Sequence, residues 1–456
     1  MINDTVFAEL STVLEGRVTR SKSDLDQHGR SETWFADAPP DAVAYPHSTV
    51  EVSALMKLCH AHAIPVIGWG TGTSLEGQTS AIHGGLVVDF SHMNAVLRVH
   101  DADMDAVVQP GVTREQLNTD LRATGLMFPV DPGANASIGG MAMTRASGTT
   151  AVRYGTMRDN VIGLEVVLAD GTIIHTGSRA RKSSSGYDLT ALFVGSEGTL
   201  GLVTELTLRL HGQPEAINAA VCAFDDMDSA VSAVIATIQM GLPMARIEFL
   251  DTKSVEAVNA YAGAEFPLKP HLFVEFHGSE ASMSDQVDMF GDIAKDFGAS
   301  DFDWAAKSEE RNALWTMRHN AFYACLALKK GCVSVVTDIC VPISKLAEAV
   351  NETAEDIAQS YIDGPILGHV GDGNFHAILL VEPNNDMELA EAKRLAHRMA
   401  ERALKFGGTV TGEHGIGLGK KGFMAREHGA EAWAAMGALK SALDPTNIMN
   451  PGKLVP

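Results

Sequence analysis

The stretch GHVGDGNFH, residues 368–376, places His369 and His376 seven residues apart around a Gly-Asp-Gly-Asn turn. If Asp372 and Gly373 form a two-residue hairpin loop, the pairs outward are Gly371/Asn374, Val370/Phe375 and His369/His376. The two imidazoles would then face each other with Cβ atoms about 5 Å apart, which is chelating distance. Two cross-strand histidines that only pack or meet solvent satisfy the same spacing. A second chemical stretch is TGEHGIGLGKK, residues 411–421, which sets Glu413 beside His414 in a glycine-rich loop. With His369 and His376, Glu413 makes a two-histidine, one-carboxylate metal set with open positions, suited to Zn²⁺ or Mn²⁺. His414 would stand beside that metal as a proton acceptor. A Glu-His pair in a loop is also often merely solvated. Arg318, four residues after Leu314, shares its apolar helix face with Phe322 and Cys325. A buried arginine needs an anion, and a substrate carboxylate or a structural Asp or Glu would serve.

Three stretches of small residues could wrap a ligand. GWGTGTSLEGQ carries glycines at 68, 70, 72 and 77 with hydroxyls on Thr71, Thr73 and Ser74. Backbone N–H groups and hydroxyls in such a loop suit a pyrophosphate. Leu75 breaks the G-x-G-x-x-G dinucleotide spacing, and no G-K-[ST] follows. The other two are residues 131–161 (DPGANASIGGMAMTRASGTTAVRYGTMRDNV) and 195–205 (GSEGTLGLVTE). The longer is too poor in hydrophobic residues for a core and too long for a plain connection. Extended backbone along one large flat ligand, such as FAD, would explain all three; ordinary surface turns are the alternative.

These residues need a scaffold. Ser48 reads as the N-cap of a helix reaching His62, followed by a short strand before the first glycine loop. Strands follow at Leu86–Phe90 and Ala106–Gln109, then a hairpin, LEVVLADGTIIHT, with Asp170-Gly171 at its tip. TELTLRL alternates Leu206, Leu208 and Leu210 as a half-buried strand. After Pro214, strand-like AAVCAF, RIEFL and HLFVEFHG alternate with helices near 226–240, 252–262 and 281–297, an α/β or α+β layer. Long helices are predicted over Glu309–Lys329 and Met387–Phe406. Composition allows this: the 456 residues are 45% hydrophobic and 20% charged, which is globular. The net charge of −22 argues against nucleic acid as a partner and weakly against docking on anionic membranes. Five scattered cysteines without C-x-x-C read as reduced thiols. No apolar run reaches 18 residues, and the N-terminal stretch resembles neither a signal nor a transit peptide, so a cytoplasmic protein, at most peripheral to the inner membrane, is expected.

The motifs GTGTSLEG, FPVDPGANASIGGMAMTRASGT, VRYGTMRDNVIGLEVVLADG, GYDLTALFVGSEGTLGLVTE, RIEFLD, GHVGDGNFH, TGEHGIG and LDPTNIMNPGK occur in this order. By them the chain resembles the FAD-dependent D-2-hydroxyacid dehydrogenases of the vanillyl-alcohol-oxidase (PCMH-type FAD) fold, closest to the cytochrome-type D-lactate dehydrogenases. The resemblance implies an α+β protein. An N-terminal helical lead-in and a PCMH-type FAD domain of two α/β subdomains would span 1–214, an α+β, ferredoxin-like substrate domain 215–410, and a segment returning to the flavin 411–456. It implies non-covalent FAD, because the loop offers no His or Cys for a covalent link, with the pyrophosphate at Gly70–Leu75. Its implied FAD-lining set is Pro65, Gly68, Gly70, Thr71, Gly72, Thr73, Ser74, Leu75, Pro129, Asp131, Pro132, Ser137, Gly139, Gly140, Ser147, Gly148, Arg153, Tyr154, Gly155, Glu197, Gly201, Val203 and Glu413, with Asn450 near the isoalloxazine. The resemblance also makes His369, His376 and Glu413 metal ligands, His414 the base and Arg318 the carboxylate clamp.

Relatives acting on a dicarboxylate use a Lys and an Asn where Val336 and Ile378 stand here, so a monocarboxylate substrate is expected, since burying a second carboxylate unpaired is costly. Hydride would pass to flavin N5, and electrons to cytochrome c, a quinone or an electron-transfer flavoprotein. Alternatives are the FAD subunit of a glycolate oxidase, a D-2-hydroxyglutarate dehydrogenase, or a non-catalytic flavin- or metal-binding protein; a zinc hydrolase leaves the three small-residue stretches unexplained. The sequence leaves the assembly open, a homodimer included.

Overall fold

The computed structural model describes residues 2–31 and 33–456, leaving aside the side chain of Asp301. The chain divides into two compact units. One holds the chain as far as Ser147, Gly155–Gln213 and Glu413–Pro456; the other holds Gly148–Tyr154 and Pro214–Gly412.

The first unit contains two main sheets. β1 (Val18–Thr19), β2 (Ala42–Ala44), β3 (Val66–Trp69) and β4 (Leu86–Asp89) lie in the order β1-β2-β4-β3. β2, β4 and β3 run parallel, which requires a crossover between β2 and β3. The helix Thr49–Ala61 supplies it, capped by the Ser48 side chain and burying Val52, Leu55, Met56 and Cys59. In the rest of the unit, β5 (Val96–His100) and β6 (Asp105–Val108) are followed by the short β7 (Leu126–Met127). Then come β8 (Val161–Val167), β9 (Ile173–Gly177), β10 (Leu202–Arg209) and the short β11 (His211–Gly212). The second sheet has the order β5-β6-β10-β8-β9, and β7 pairs with β11. The β8–β9 turn is the one predicted, with Gly171 at φ +83. Leu206 and Leu208 of β10 are fully buried, as their alternation requires. The end of the chain returns to β3: Val66 N–H donates to Ile448 O, and Asn450 N–H donates to Val66 O.

Residues 131–161 correct an expectation. They are not extended backbone but carry three short helices, Ile138–Thr144, Ala151–Tyr154 and Met157–Asn160. Ser137 caps the first, and Thr156 with Asp159 forms a capping box on the third. The small residues serve close packing: a Cβ on Gly139 would lie 2.5 Å from Pro110.

The second unit is built on one sheet. Its strands are β12 (Ala216–Ala223), β13 (Met244–Leu250), β14 (His271–Gly278), β15 (Ser300–Ala305), β16 (Val333–Val336), β17 (Ile339–Cys340), β18 (Ile366–Gly368) and β19 (Asn374–Val381). The order β15-β12-β14-β13, antiparallel throughout, with helices Met227–Gln239 and Glu280–Asp296 between strands, is ferredoxin-like. β18, β19 and β16 extend that sheet, and β17 pairs with β19. The long helix expected over Glu309–Lys329 is two helices, Ser308–His319 and Ala321–Ala327, parted at Asn320. Asparagine competes for backbone partners and is a poor interior helix residue. The later helix runs Asp386–Lys405 from an Asn385 cap.

Candidate functional site

In the second unit, His369 follows the end of β18 and His376 lies on β19. Their predicted register is wrong. His376 pairs with Leu367, and the connection holds a one-turn helix, Val370–Asp372, ended by Gly373 at φ +85. A two-residue loop would need positive φ at both Asp372 and Gly373, and only the glycine adopts it. The imidazoles still converge, with ring centroids 5.6 Å apart and planes at 84°.

Each ring is fixed through Nδ1. His369 Nδ1 sits 2.8 Å from Glu248 Oε1, and His376 Nδ1 3.0 Å from Thr337 O. A carboxylate and a carbonyl only accept, so Nδ1 is the donor in both rings and Nε2 is the atom each could offer a metal. This is the arrangement by which outer groups aim and strengthen histidine metal ligands. Glu248 is fully buried on β13 and also accepts from Arg318 Nη2 at 2.5 Å. Arg318 is 6% exposed, and its Nε has no hydrogen-bond partner among the described residues. A buried guanidinium donor in that state suits a bidentate anion.

Beside this cluster runs a second polar chain. Tyr154 Oη and His277 Nδ1 share a hydrogen bond at 2.7 Å, and His277 Nε2 lies 2.8 Å from Glu275. Arg246 approaches Glu275 to 3.6 Å and stacks over Trp315. Burial works against the Glu275 carboxylate, but Arg246 and His277 more than offset it and hold its pKa below the usual range. Val336 and Ile378 are direct cross-strand partners, and Ile378 shares a face of β19 with His376.

In the first unit, the loop after β3 is held tightly. A Cβ on Gly70 would fall 2.1 Å from Ser137 Oγ, and Gly72 has φ +74. A cleft of about 570 Å³ beside it is lined by Arg30, Tyr45, Trp69, Thr71 and Asp89 among others. Beneath the loop, His28 is buried between the Asp24 carbonyl at Nδ1 and Asp89 Oδ2 at Nε2. Glu413 Oε2 accepts from Ser147 Oγ at 2.5 Å, and His414 O accepts from Gln78 Nε2 at 2.7 Å.

The residues expected to line FAD have varied fates. Gly68 and Val203 lie inside β3 and β10, and Val203 belongs to the apolar core. Pro65 O accepts from Leu86 N–H, and Gly201 abuts Val166. Asp131 is buried, and Gly155 has φ +75. Ser137 caps a helix through Gly140 N–H. Gly148, Arg153 and Tyr154 fall in the second unit, where Arg153 donates to Pro243 O. Asn450 Nδ2 donates to Gln78 O and Glu197 O, while its Oδ1 accepts from Lys453. Sequence reasoning missed Glu248, Glu275 and His277. Their signal was period two in RIEFL and VEFHG, where charged residues alternate within apolar strands.

The sequence matches the family described as FAD linked oxidases, C-terminal domain, over residues 213–454, and the FAD binding domain over residues 40–177. It is 52% identical to the probable mitochondrial D-lactate dehydrogenase of Danio rerio, over 94% of this chain and 87% of that protein. It is 43% identical to the mitochondrial D-lactate dehydrogenase [cytochrome] of Arabidopsis thaliana, over 99% and 80%. Identity to glycolate oxidase subunit GlcD of Bacillus subtilis is 37%, over 91% and 89%. Among solved structures, p-cresol methylhydroxylase superposes with a TM-score of 0.81 at 18% identity, over 99% of this chain and 97% of that one, which speaks to the fold.

Proposed function

The chain belongs to the FAD-linked oxidases, and on that footing we propose that it oxidises a D-2-hydroxy monocarboxylate, D-lactate foremost, to the 2-oxo acid. The observation that carries this reading is the paired fixing of His369 and His376 through Nδ1, which makes Nε2 of each ring the proposed ligand atom for a divalent cation. Glu413 is the proposed third ligand. It is bonded to Gly412, which packs on Asn374 and Asp338, and its carboxylate is already oriented by Ser147. The loop Gly70–Leu75 and the stretch from Glu197 to Val203 are the proposed FAD-holding backbone.

When bound, FAD supplies a two-electron acceptor and the cation a charge that acidifies the substrate hydroxyl. The protein's own groups do the rest. Arg318 receives the substrate carboxylate with the fork atoms that Glu248 does not occupy. Val336 and Ile378 surround its tail with apolar atoms. A ring nitrogen of His414 takes the hydroxyl proton as hydride leaves C2. Relatives named for cytochrome make cytochrome c the proposed final acceptor.

Replacing His414 with Ala should lower kcat by at least about a hundredfold while flavin stays bound. Turnover retained in that variant removes His414 as the base. The likeness to subunit GlcD supports a second reading, in which partner chains are needed; dye-linked turnover by the purified single chain rules it out.

A further inference from the structure

The loop that carries His414 is gripped from below by a residue expected to line the flavin. Glu197 is 5% exposed and adopts φ +54, a left-handed backbone that non-glycine residues seldom take. Its two carboxylate oxygens accept the backbone N–H groups of Ile416, at 2.6 Å, and Gly417, at 2.9 Å. A Cβ on Gly415 would fall 2.5 Å from Glu197 Oε1, so only glycine lets the loop sit this close. Glu197 is itself held in place: its N–H donates to Met143 O and its carbonyl accepts from Asn450 Nδ2. Gln78 adds a grip on the His414 carbonyl, and Asn450 in turn donates to Gln78 O. Lys453 closes the set through Ser80 O and Asn450 Oδ1. Residues near 78, 197 and 450, distant in sequence, thus meet under four residues of loop, His414–Gly417.

We infer that Glu197 is a positioning residue for His414: its carboxylate fixes the backbone of residues 415–417 and thereby the position of the imidazole, so that only its backbone belongs to the proposed flavin-holding stretch. The two oxygens spanning consecutive N–H groups make a bidentate clamp that a neutral amide cannot copy. In Glu197→Gln one accepting oxygen becomes an NH₂ group facing an N–H donor. A base displaced by about an ångström loses roughly a hundredfold in rate without loss of substrate affinity. The inference rests on His414 being the base, and the experiment separates the two ideas.

Glu197→Gln, His414→Ala and the double variant are purified as holoproteins. Flavin content, kcat and KM for D-lactate, and amide hydrogen exchange at Ile416 and Gly417 are measured. The inference expects Glu197→Gln to keep its flavin and a KM within about threefold while kcat falls about ten- to a hundredfold. It expects faster exchange at both amides and no further loss when the change is added to His414→Ala. Unchanged kcat and exchange overturn it. Loss of flavin returns Glu197 to the cofactor and also overturns it, as does a full multiplicative loss in the double variant. If His414→Ala keeps its turnover, the base assignment fails, and the exchange rates still decide whether the clamp exists. Should Glu197→Gln fold poorly, Gln78→Met, which releases the His414 carbonyl together with the Glu76 N–H, must lower kcat several-fold with flavin retained; unchanged kcat there overturns the inference.

Discussion

Glu248 joins the two halves of the proposed chemistry in the second unit. His369 Nδ1 lies against both Glu248 oxygens, one of which also holds Arg318, and no solvent reaches the carboxylate. If His369 is a ligand as proposed, replacing Glu248 with Gln removes the charge that would strengthen it, so the dissociation constant for Zn²⁺ or Mn²⁺, measured by titration calorimetry, should rise about ten- to a hundredfold. An unchanged constant would detach Glu248 from the metal. His28 supplies a pH prediction. Burial opposes its charged form, but the Asp89 hydrogen bond and the Asp24 carbonyl outweigh burial and leave its pKa raised. A raised folded pKa binds the proton more tightly in the folded state, so this contribution is complete below about pH 6.5 and is lost as pH rises through the folded value. Denaturant titrations should show His28→Gln losing stability mainly on the acid side. An equal loss at every pH would contradict this.

At the scale of elements, convergence was legible in the sequence and register was not. The spacing of His369 and His376 forecast neighbouring rings, yet His376 pairs with Leu367 because Asp372 stays out of the left-handed region. The helix predicted across Arg318 was right in face and wrong in length, since Asn320 parts it. Small-residue composition points to extended backbone over residues 131–161, whereas Ser137 and Thr156 start helices there. Such caps compete with a loop reading, and composition alone does not decide between them. The β16–β19 pair carries the specificity prediction. Val336 lies directly across from Ile378, on the face that holds His376. Val336→Lys should therefore raise kcat/KM for a D-2-hydroxy dicarboxylate relative to D-lactate by roughly tenfold, the value of one charge-assisted hydrogen bond. No change in that ratio would place the substrate tail elsewhere.

At the scale of the whole molecule, alternation and helix periodicity foretold part of the strands and helices of each unit, and the motif order foretold the family. The chain order of contacts was harder to see: Gly148–Tyr154 joins the second unit although its neighbours on both sides belong to the first. Two buried polar chains, Glu248 with its partners and Glu275 with its own, rest on residues that sequence shows only as exceptions within apolar strands. The five cysteines are free, and burial pushes Cys59, Cys222, Cys325 and Cys340 up to about 12, which keeps these thiols inert. No helix among the described residues is long and apolar enough to cross a membrane. The central claim is that a divalent cation on His369, His376 and Glu413 is needed for a D-2-hydroxy acid to reduce the flavin. Its most direct test is anaerobic bleaching of the purified flavoprotein by D-lactate and L-lactate, before chelation, after it, and after Zn²⁺ or Mn²⁺ is returned. The account predicts rapid bleaching by the D isomer alone, loss of that reduction on chelation, and recovery with metal. Bleaching by D-lactate at an undiminished rate in metal-free protein would contradict it.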